Sequence, residues 1–461
     1  YFLLYSSCSR ERGCSVIKTL AIALSVFTFL PVLFSAEDTI QRPNIVLIMA
    51  DDLGYGDLSC YGSQNCETPH LDRLAANGIR FTDFHSSGAV CSPTRAGLLT
   101  GRYQQRAGID GVVYADPEKN RHHGLQKNEI TLAQCLQDAG YQTGMFGKWH
   151  LGYQRQYNPT FRGFQQFVGY VSGNVDYFAH LDGTGVFDWW HNAELNREEQ
   201  GYVTHLINDH AVEFIRQQQE KPFFVYIAHE AVHSPYQGPH DQPMRKEGGG
   251  DIKSAKRKDI ANAYREMNTE MDKGIGQIVD VLKEVMLTEK TLIFFLSDNG
   301  ANKNGSNGKL RGFKGSLWEG GHRVPAIACW PGRIPEGTVC DETVISIDLM
   351  PTLLELANAK IPAGHKLDGV SLVSLLKDRK SLVPRQIFWE YNGKSAMRQG
   401  PWKLIMNQTR KEPIELYDLT RDMSESKNLA DNQPQRVQQM QSALAAWKSD
   451  VQKTATTQPE K

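Results

Sequence analysis

Four apolar runs of strand length, each closed by a cluster of polar residues, constrain this chain more than any other feature. "NIVLIMA" (Asn44 to Ala50) runs into Asp51 and Asp52, and "YQTGMFG" (Tyr141 to Gly147) into Lys148 and His150. "PFFVYIA" (Pro222 to Ala228) runs into His229 and His233, and "TLIFFLS" (Thr291 to Ser297) into Asp298 and Asn299. Unbroken apolar runs belong to strands buried on both faces, and helical patterns lie between these four. The alternation predicts an α/β fold, a mostly parallel sheet flanked by helices. Ligands of such open sheets bind beyond the carboxyl ends of the strands, so one rim receives acids, an amide, imidazoles and a lysine.

Taken singly, an Asp-Asp pair after a strand reads as a turn or a helix cap, and a histidine before Ser-Pro as a loop residue. Together they read as chemistry. Asp51, Asp52, Asp298 and Asn299 offer only hard oxygen donors, which suit Ca²⁺ or Mg²⁺ and not zinc. His150, His233, Lys148 and Lys314 supply the protic or positive groups that an oxyanion needs. The stretch "CSPTRAGLLTGR" (Cys91 to Arg102) adds a thiol. From Ser92 onward it reads as a helix start with Pro93 in the first turn, which places Cys91 at the positive end of a helix. Free N–H groups there favour an anion, and Arg95 follows about one turn later. A buried structural thiol is the plain alternative for Cys91.

That stretch matches the C-x-P-x-R…L-T-G-R signature and resembles type I sulfatases, in which the cysteine is oxidised to formylglycine. "PNIVLIMADDLGYGDLSCYG", "GYQTGMFGKWHLG", "FLSDNG", "GFKGSLWEGGHRVPAIACWPG" and "ELYDLTRDMSESKNLA" are similar to sulfatase segments in the same order, so the resemblance spans Arg42 to Ala430. It implies the alkaline-phosphatase-like fold with a smaller C-terminal α+β subdomain carrying an antiparallel sheet. It also implies that Cys91, once converted, is the nucleophile: one hydroxyl of the hydrated aldehyde attacks sulfur, and the other collapses to eject sulfate. By the same resemblance one Ca²⁺ per chain would be held by Asp51, Asp52, Cys91, Asp298 and Asn299. Arg95 would position the hydrate, Lys148 and Lys314 would clamp sulfate oxygens, and His150 would act as base. His233 would be the acid for the leaving oxygen, with nearby His229 as the alternative. A formylglycine-generating maturation enzyme is an implied partner. Phosphonate monoester and phosphodiester hydrolases share the fold and can share the signature, and they form the competing reading.

Within the family the chain resembles N-acetylgalactosamine-6-sulfatases and bacterial polysaccharide sulfatases, which implies a sulfated carbohydrate substrate. The aromatic segment "GYVSGNVDYFAHLDGTGVFDWWHN" (Gly169 to Asn192) offers Asp176, His180, Trp189, Trp190 and His191 as sugar contacts, beside His229. An ordinary packed insertion is the alternative for this segment.

Fifty-one basic against 52 acidic side chains leave a formal charge of -1, so no global field recruits nucleic acid or a membrane surface, and no stable membrane partner is expected. Arg10, Arg12 and Lys18 precede "TLAIALSVFTFLPVLFSA", which reads as a signal peptide over residues 1–36; Pro31 and its short length argue against a membrane anchor. Export to a secreted or periplasmic location follows. Past that leader lie Cys60, Cys66, Cys91, Cys135, Cys329 and Cys340, whose pairing the sequence leaves open. The catalytic domain is expected over 37–383. The C-terminal subdomain, 384–461, would begin with antiparallel strands in "IFWEYNGKSAMRQGPWKLIMN" and end in a helix over "NQPQRVQQMQSALAAWKSDVQK".

Overall fold

The computed structural model describes residues 42–249, 257–407 and 412–460, so the expected leader lies outside the described residues. Strands β1 (Asn44–Ala50), β2 (Ile79–Phe81), β3 (Phe84–His85), β4 (Gln142–Lys148), β5 (Gln166–Tyr170), β6 (Trp190–His191), β7 (Glu194–Leu195), β8 (Phe223–Ala228), β9 (Thr291–Ser297), β10 (Ala326–Cys329) and β11 (Thr338–Cys340) come first in the chain. All of these but β3 join one ten-stranded sheet of order β11-β2-β10-β9-β1-β8-β4-β5-β6-β7. Its centre, β9-β1-β8-β4-β5, is parallel, as the unbroken apolar runs predict. The margins are not: β10 runs antiparallel between β9 and β2, and β6 and β7 form an antiparallel ribbon beyond β5. Strand β12 (Val344–Ile345) pairs with β3 apart from this sheet.

Side chains alternate across a strand, so β1 feeds two cores. Ile45, Leu47 and Met49 face one layer, where helix α1 (Cys91–Thr100) contributes Ala96, Leu98 and Leu99. Val46, Ile48 and Ala50 face the other, against Ile207 and Ala211 of the helix Val203–Gln217 and Met267, Met271 and Ile275 of the helix Ile260–Glu284. Both faces of the sheet are therefore dry, which is why its strands carry no polar alternation.

Strands β13 (Gln386–Tyr391), β14 (Lys394–Gln399), β15 (Trp402–Asn407) and β16 (Glu415–Asp418) form a separate antiparallel sheet. The helix Pro434–Lys453 lies on it through Val437, Met440, Leu444, Trp447 and Val451, with the Trp447 ring stacked on Phe388 at a centroid distance of 5.0 Å. Residues Arg42–Lys461 form one compact unit. Among the described residues no helix is long and apolar enough to cross a membrane, and the six described cysteines are all thiols.

Candidate active site

Strand register brings the polar clusters to one level. Ala50 pairs with Ser297, so Asp51 emerges beside Asp298; Gly147 and Met49 both pair with Ala228, so Lys148 and His229 emerge on the same rim. The backbone then turns left-handed at Asp52 and His150, with φ of 59° and 56°. Such a conformation costs a non-glycine residue about 1–3 kcal/mol and persists where the surroundings fix it. At Asp52 the fixing group is visible: its N–H donates to Asp298 Oδ1 at 3.2 Å.

Three carboxylates and three cations interlock here, all buried or nearly so. Lys148 Nζ donates to Asp51 Oδ2. Arg95 Nη2 donates to Asp298 Oδ2 at 2.9 Å and lies 3.5 Å from Asp51 Oδ2, while its Nη1 donates to the Lys148 carbonyl at 3.0 Å. Lys314 Nζ sits 2.6 Å from Asp52 Oδ1 and 3.2 Å from Cys91 Sγ. Asn299 Nδ2 donates to Asp52 Oδ1 at 2.8 Å and Asn302 Nδ2 to Asp52 Oδ2 at 3.2 Å. Cys91 is 3% exposed at the first residue of α1, where no side chain caps the first turn, so the helix presents its positive end to this cluster.

The electrostatics show where positive charge is wanted. Burial would raise the Asp52 carboxyl, but Lys314 and then His233 hold it well below the usual carboxylate range. Burial and then the adjoining Asp51 carboxylate push Asp298 up to about 6. Two oxygens of the set, Asp51 Oδ1 and Asn299 Oδ1, are buried and accept no hydrogen bond. Oxygen-only donors, a like-charge repulsion and two unused buried oxygens together fit a hard divalent cation.

The histidines divide into two kinds. His150 Nε2 lies 2.9 Å from the Val113 carbonyl, which can only accept, so Nε2 carries the proton and the buried, unpartnered Nδ1 is a free lone pair. Burial, followed by repulsion from Lys148 and Arg95, keeps the ring neutral by lowering its pKa well below the ordinary value. His233 donates from Nδ1 to the Ser234 carbonyl at 2.6 Å, which leaves Nε2 facing Asp52 Oδ2 at 3.7 Å. Burial and then Lys314 push it down to about 3. His229 is fully buried, with both ring nitrogens unpartnered and its pKa pushed down to about 3 by burial alone.

The aromatic segment reaches this centre at Gly173, where an added Cβ would lie 2.8 Å from His150 Nε2. Three of the sugar-contact candidates within it, Asp176, His180 and Trp189, are buried and bonded within the fold. Asp176 is fully buried and accepts four backbone N–H groups, from Phe178, Ala179, Met244 and Arg245. His180 bonds the Gly201 carbonyl and stacks on Trp189, whose indole N–H is bound by Glu199. Through these bonds the three side chains hold the insertion together. Trp190 and His191 are half-buried on β6, at the sheet margin.

Two participants escaped the sequence reading. Asn302, four residues past Asp298, was hidden in a polar loop. The Val113 carbonyl that fixes the His150 tautomer has no side-chain signal at all.

The sulfatase family model matches residues 43–359, and the C-terminal model of N-sulphoglucosamine sulphohydrolase matches residues 313–453. N-acetylgalactosamine-6-sulfatase of Canis lupus familiaris is 35% identical over 386 residues, 77% of this chain and 70% of its own. Arylsulfatase A of Homo sapiens is 34% identical over 441 residues, 84% and 83% of the two chains. The crystal structure of Ps i-CgsB in complex with k-i-k-neocarrahexaose matches with a TM-score of 0.80 and 29% identity, covering 91% of this chain and 95% of that one. Since the matched residues include the whole charged centre around Cys91, the chain belongs to the sulfatase family and is a hydrolase of sulfate esters.

Proposed function

We propose that this sulfatase removes sulfate from a sulfated carbohydrate, with Cys91 converted to formylglycine and one Ca²⁺ held by Asp51, Asp52, Asp298 and Asn299 beside residue 91. The observation that carries this reading is the convergence on one thiol of Lys314, a helix N-terminus and an oxygen-only cluster with two unused buried oxygens. A converted residue 91 would supply two hydroxyls on one carbon, and the cation would neutralise charge and lower a hydroxyl pKa.

The remaining steps fall to side chains of this chain. Arg95, locked by Asp298 and the Lys148 carbonyl, fixes the floor on which residue 91 stands. Lys148 and Lys314 now neutralise Asp51 and Asp52; they are also the two ammonium groups within reach of an incoming sulfate and would stabilise charge on its oxygens. The free Nδ1 of His150 is the lone pair available to take a proton. His233 is the acid for the leaving oxygen: the negative charge of bound sulfate opposes the Lys314 repulsion that helps keep its pKa low. His229 lacks any partner that would orient it for this task.

The sugar preference rests on similarity to N-acetylgalactosamine-6-sulfatase and to a structure holding a neocarrahexaose. We further assign residues 37–383 to the catalytic domain, residues 384–461 to the C-terminal subdomain, and residues 1–36 to a leader for export to a secreted or periplasmic location. Conversion of Cys91, which is almost inaccessible in the folded chain, would have to precede folding on the maturation enzyme.

A panel of sulfated oligosaccharides, tested with protein from the native host, checks the reading. Turnover should vanish on chelation and return with Ca²⁺, and the peptide spanning Cys91 should carry the mass of formylglycine. Faster turnover of a phosphodiester than of the sulfate ester with the same leaving group would overturn it.

A further inference from the structure

Three side chains at the sheet margin converge without any part in sulfate hydrolysis. His191 comes from β6, Glu199 from the connection that follows, and His210 from the helix Val203–Gln217. His191 Nε2 lies 2.8 Å from Glu199 Oε2, and His210 Nε2 lies 2.8 Å from Glu199 Oε1. One ligand atom from each falls within 4.8 Å of the others. The cluster is separate from the catalytic rim: His191 pairs with Val168 inside β5, and β4 and β8 intervene before β1.

Hydrogen bonding alone does not account for the arrangement. The Glu198 N–H donates to Asn196 Oδ1 at 3.1 Å, which fixes the amide orientation, and Asn196 Nδ2 then points its hydrogens at His191 Nε2, 3.2 Å away. A nitrogen that accepts from an amide carries a lone pair and no proton. That nitrogen also faces a carboxylate oxygen at 2.8 Å: protonated, it serves Glu199 but meets the Asn196 amide hydrogens donor to donor, and unprotonated, it serves Asn196 but meets the carboxylate lone pair to lone pair, so neither tautomer satisfies both contacts. A cation between them removes the conflict. The other contacts are those of a ligand set held in place: Trp189 Nε1 donates to Glu199 Oε2 at 2.5 Å, and the Phe146 ring lies nearly parallel to that of His210. The side chains of His191, Glu199 and His210 are 38%, 19% and 24% exposed, so an ion has a path in and a water can complete the shell.

We propose that His191, Glu199 and His210 form a second metal site, for zinc or a similar divalent transition ion, that ties the β6–β7 ribbon to the helix Val203–Gln217. Two imidazoles and one carboxylate select such an ion over calcium, whereas the catalytic rim offers mostly oxygen. The two sites are thus distinguishable by metal type.

The test uses the full-length protein in excess Ca²⁺, titrated with Zn²⁺ and, for spectroscopy, Co²⁺. The expected result is one additional equivalent per chain, a raised unfolding midpoint with Zn²⁺, and cobalt d–d bands without a thiolate charge-transfer band. His191→Ala, Glu199→Gln and His210→Ala should each weaken uptake by about 100-fold or more, beyond the 10–100-fold that loss of an outer partner costs. Circular dichroism identifies any variant that fails to fold, and the folded ones decide the matter. No additional equivalent in the unmodified chain overturns the proposal. So does uptake that survives His210→Ala, or cobalt bound solely with a thiolate band, which would place the ion at a cysteine.

Discussion

Lys314 holds two contacts at once, one to Asp52 and one to the thiol, and its charge is secured because the Asp52 carboxylate outweighs the cost of its burial. On the mechanism proposed above, a lysine fixed against residue 91 would meet the charge that develops on the sulfate as the ester bond breaks. Lys314→Ala should therefore slow turnover by about 10²–10³, the effect of removing one preorganised donor from an oxyanion site. Steady-state kinetics separates this from simple binding: kcat should fall, and a rise confined to KM would make Lys314 a ground-state contact. His150 shows what a residue can hide. Its place after "GKW" was legible, whereas its proton position depends on a backbone carbonyl 37 residues away in sequence.

The elements that carry the site are held by close backbone contact as much as by side chains. Gly300 follows Asp298 and Asn299, donates to the Gly321 carbonyl at 3.0 Å, and has no room for a Cβ, which would lie 1.8 Å from the Gly320 carbonyl oxygen. Since the obstacle is backbone, Gly300→Ala must move the loop that ends β9. The chain should still fold, but Ca²⁺ affinity, measured by calorimetry, should fall by about 10–100-fold, the usual cost of disturbing support behind metal ligands. Unchanged affinity would show that the loop has slack. At this scale the sequence was informative wherever one strand carried its own signal. β1, β8 and β9 are almost wholly apolar, β4 is apolar from Gly144 to Gly147, and their polar endings marked the rim. The two-residue strands β6 and β7 are too short to show a period, so Trp190 and His191 could not be placed at an edge. Asp176 and Trp189 are a related case: their residue type suggests a sugar site, while both side chains are bonded within the fold, which the sequence does not show.

Across the whole molecule, a buried chain of polar groups joins the C-terminal sheet to the catalytic core. Lys403 of β15 lies 2.9 Å from Glu319 and 3.0 Å from Glu425, and Arg398 of β14 lies 2.7 Å from Asp83. Inside this frame His85 Nε2 meets Asp83 Oδ1 at 2.9 Å, the Nδ1 atoms of His85 and His322 are 3.0 Å apart, and His322 Nε2 lies 3.1 Å from Lys403 Nζ. His322 Nε2 also lies 3.2 Å from the Leu317 carbonyl and His85 Nε2 3.3 Å from Arg398 Nη1; the proton arrangement that serves the shorter contacts has Lys403 donate to His322, His322 to His85, and His85 to Asp83. Both rings are then neutral, and an added proton on His85 would bring two N–H groups face to face. Burial, with Lys403 beside it, accordingly lowers the His322 pKa well below 6.5. The unfolded chain, with an ordinary histidine, binds this proton as pH falls below about 6.5 while the folded chain does not. Unfolding free energy should therefore hold steady with respect to this group above that pH and fall below it, by about 1.4 kcal/mol per pH unit for each such histidine. His322→Gln keeps a donor and an acceptor in place and removes the titration. Urea unfolding between pH 7 and 5 should show the variant less stable at pH 7 but losing stability less steeply, by about one proton; equal slopes would mean that His322 takes up its proton without disturbing the joint between sheet and core.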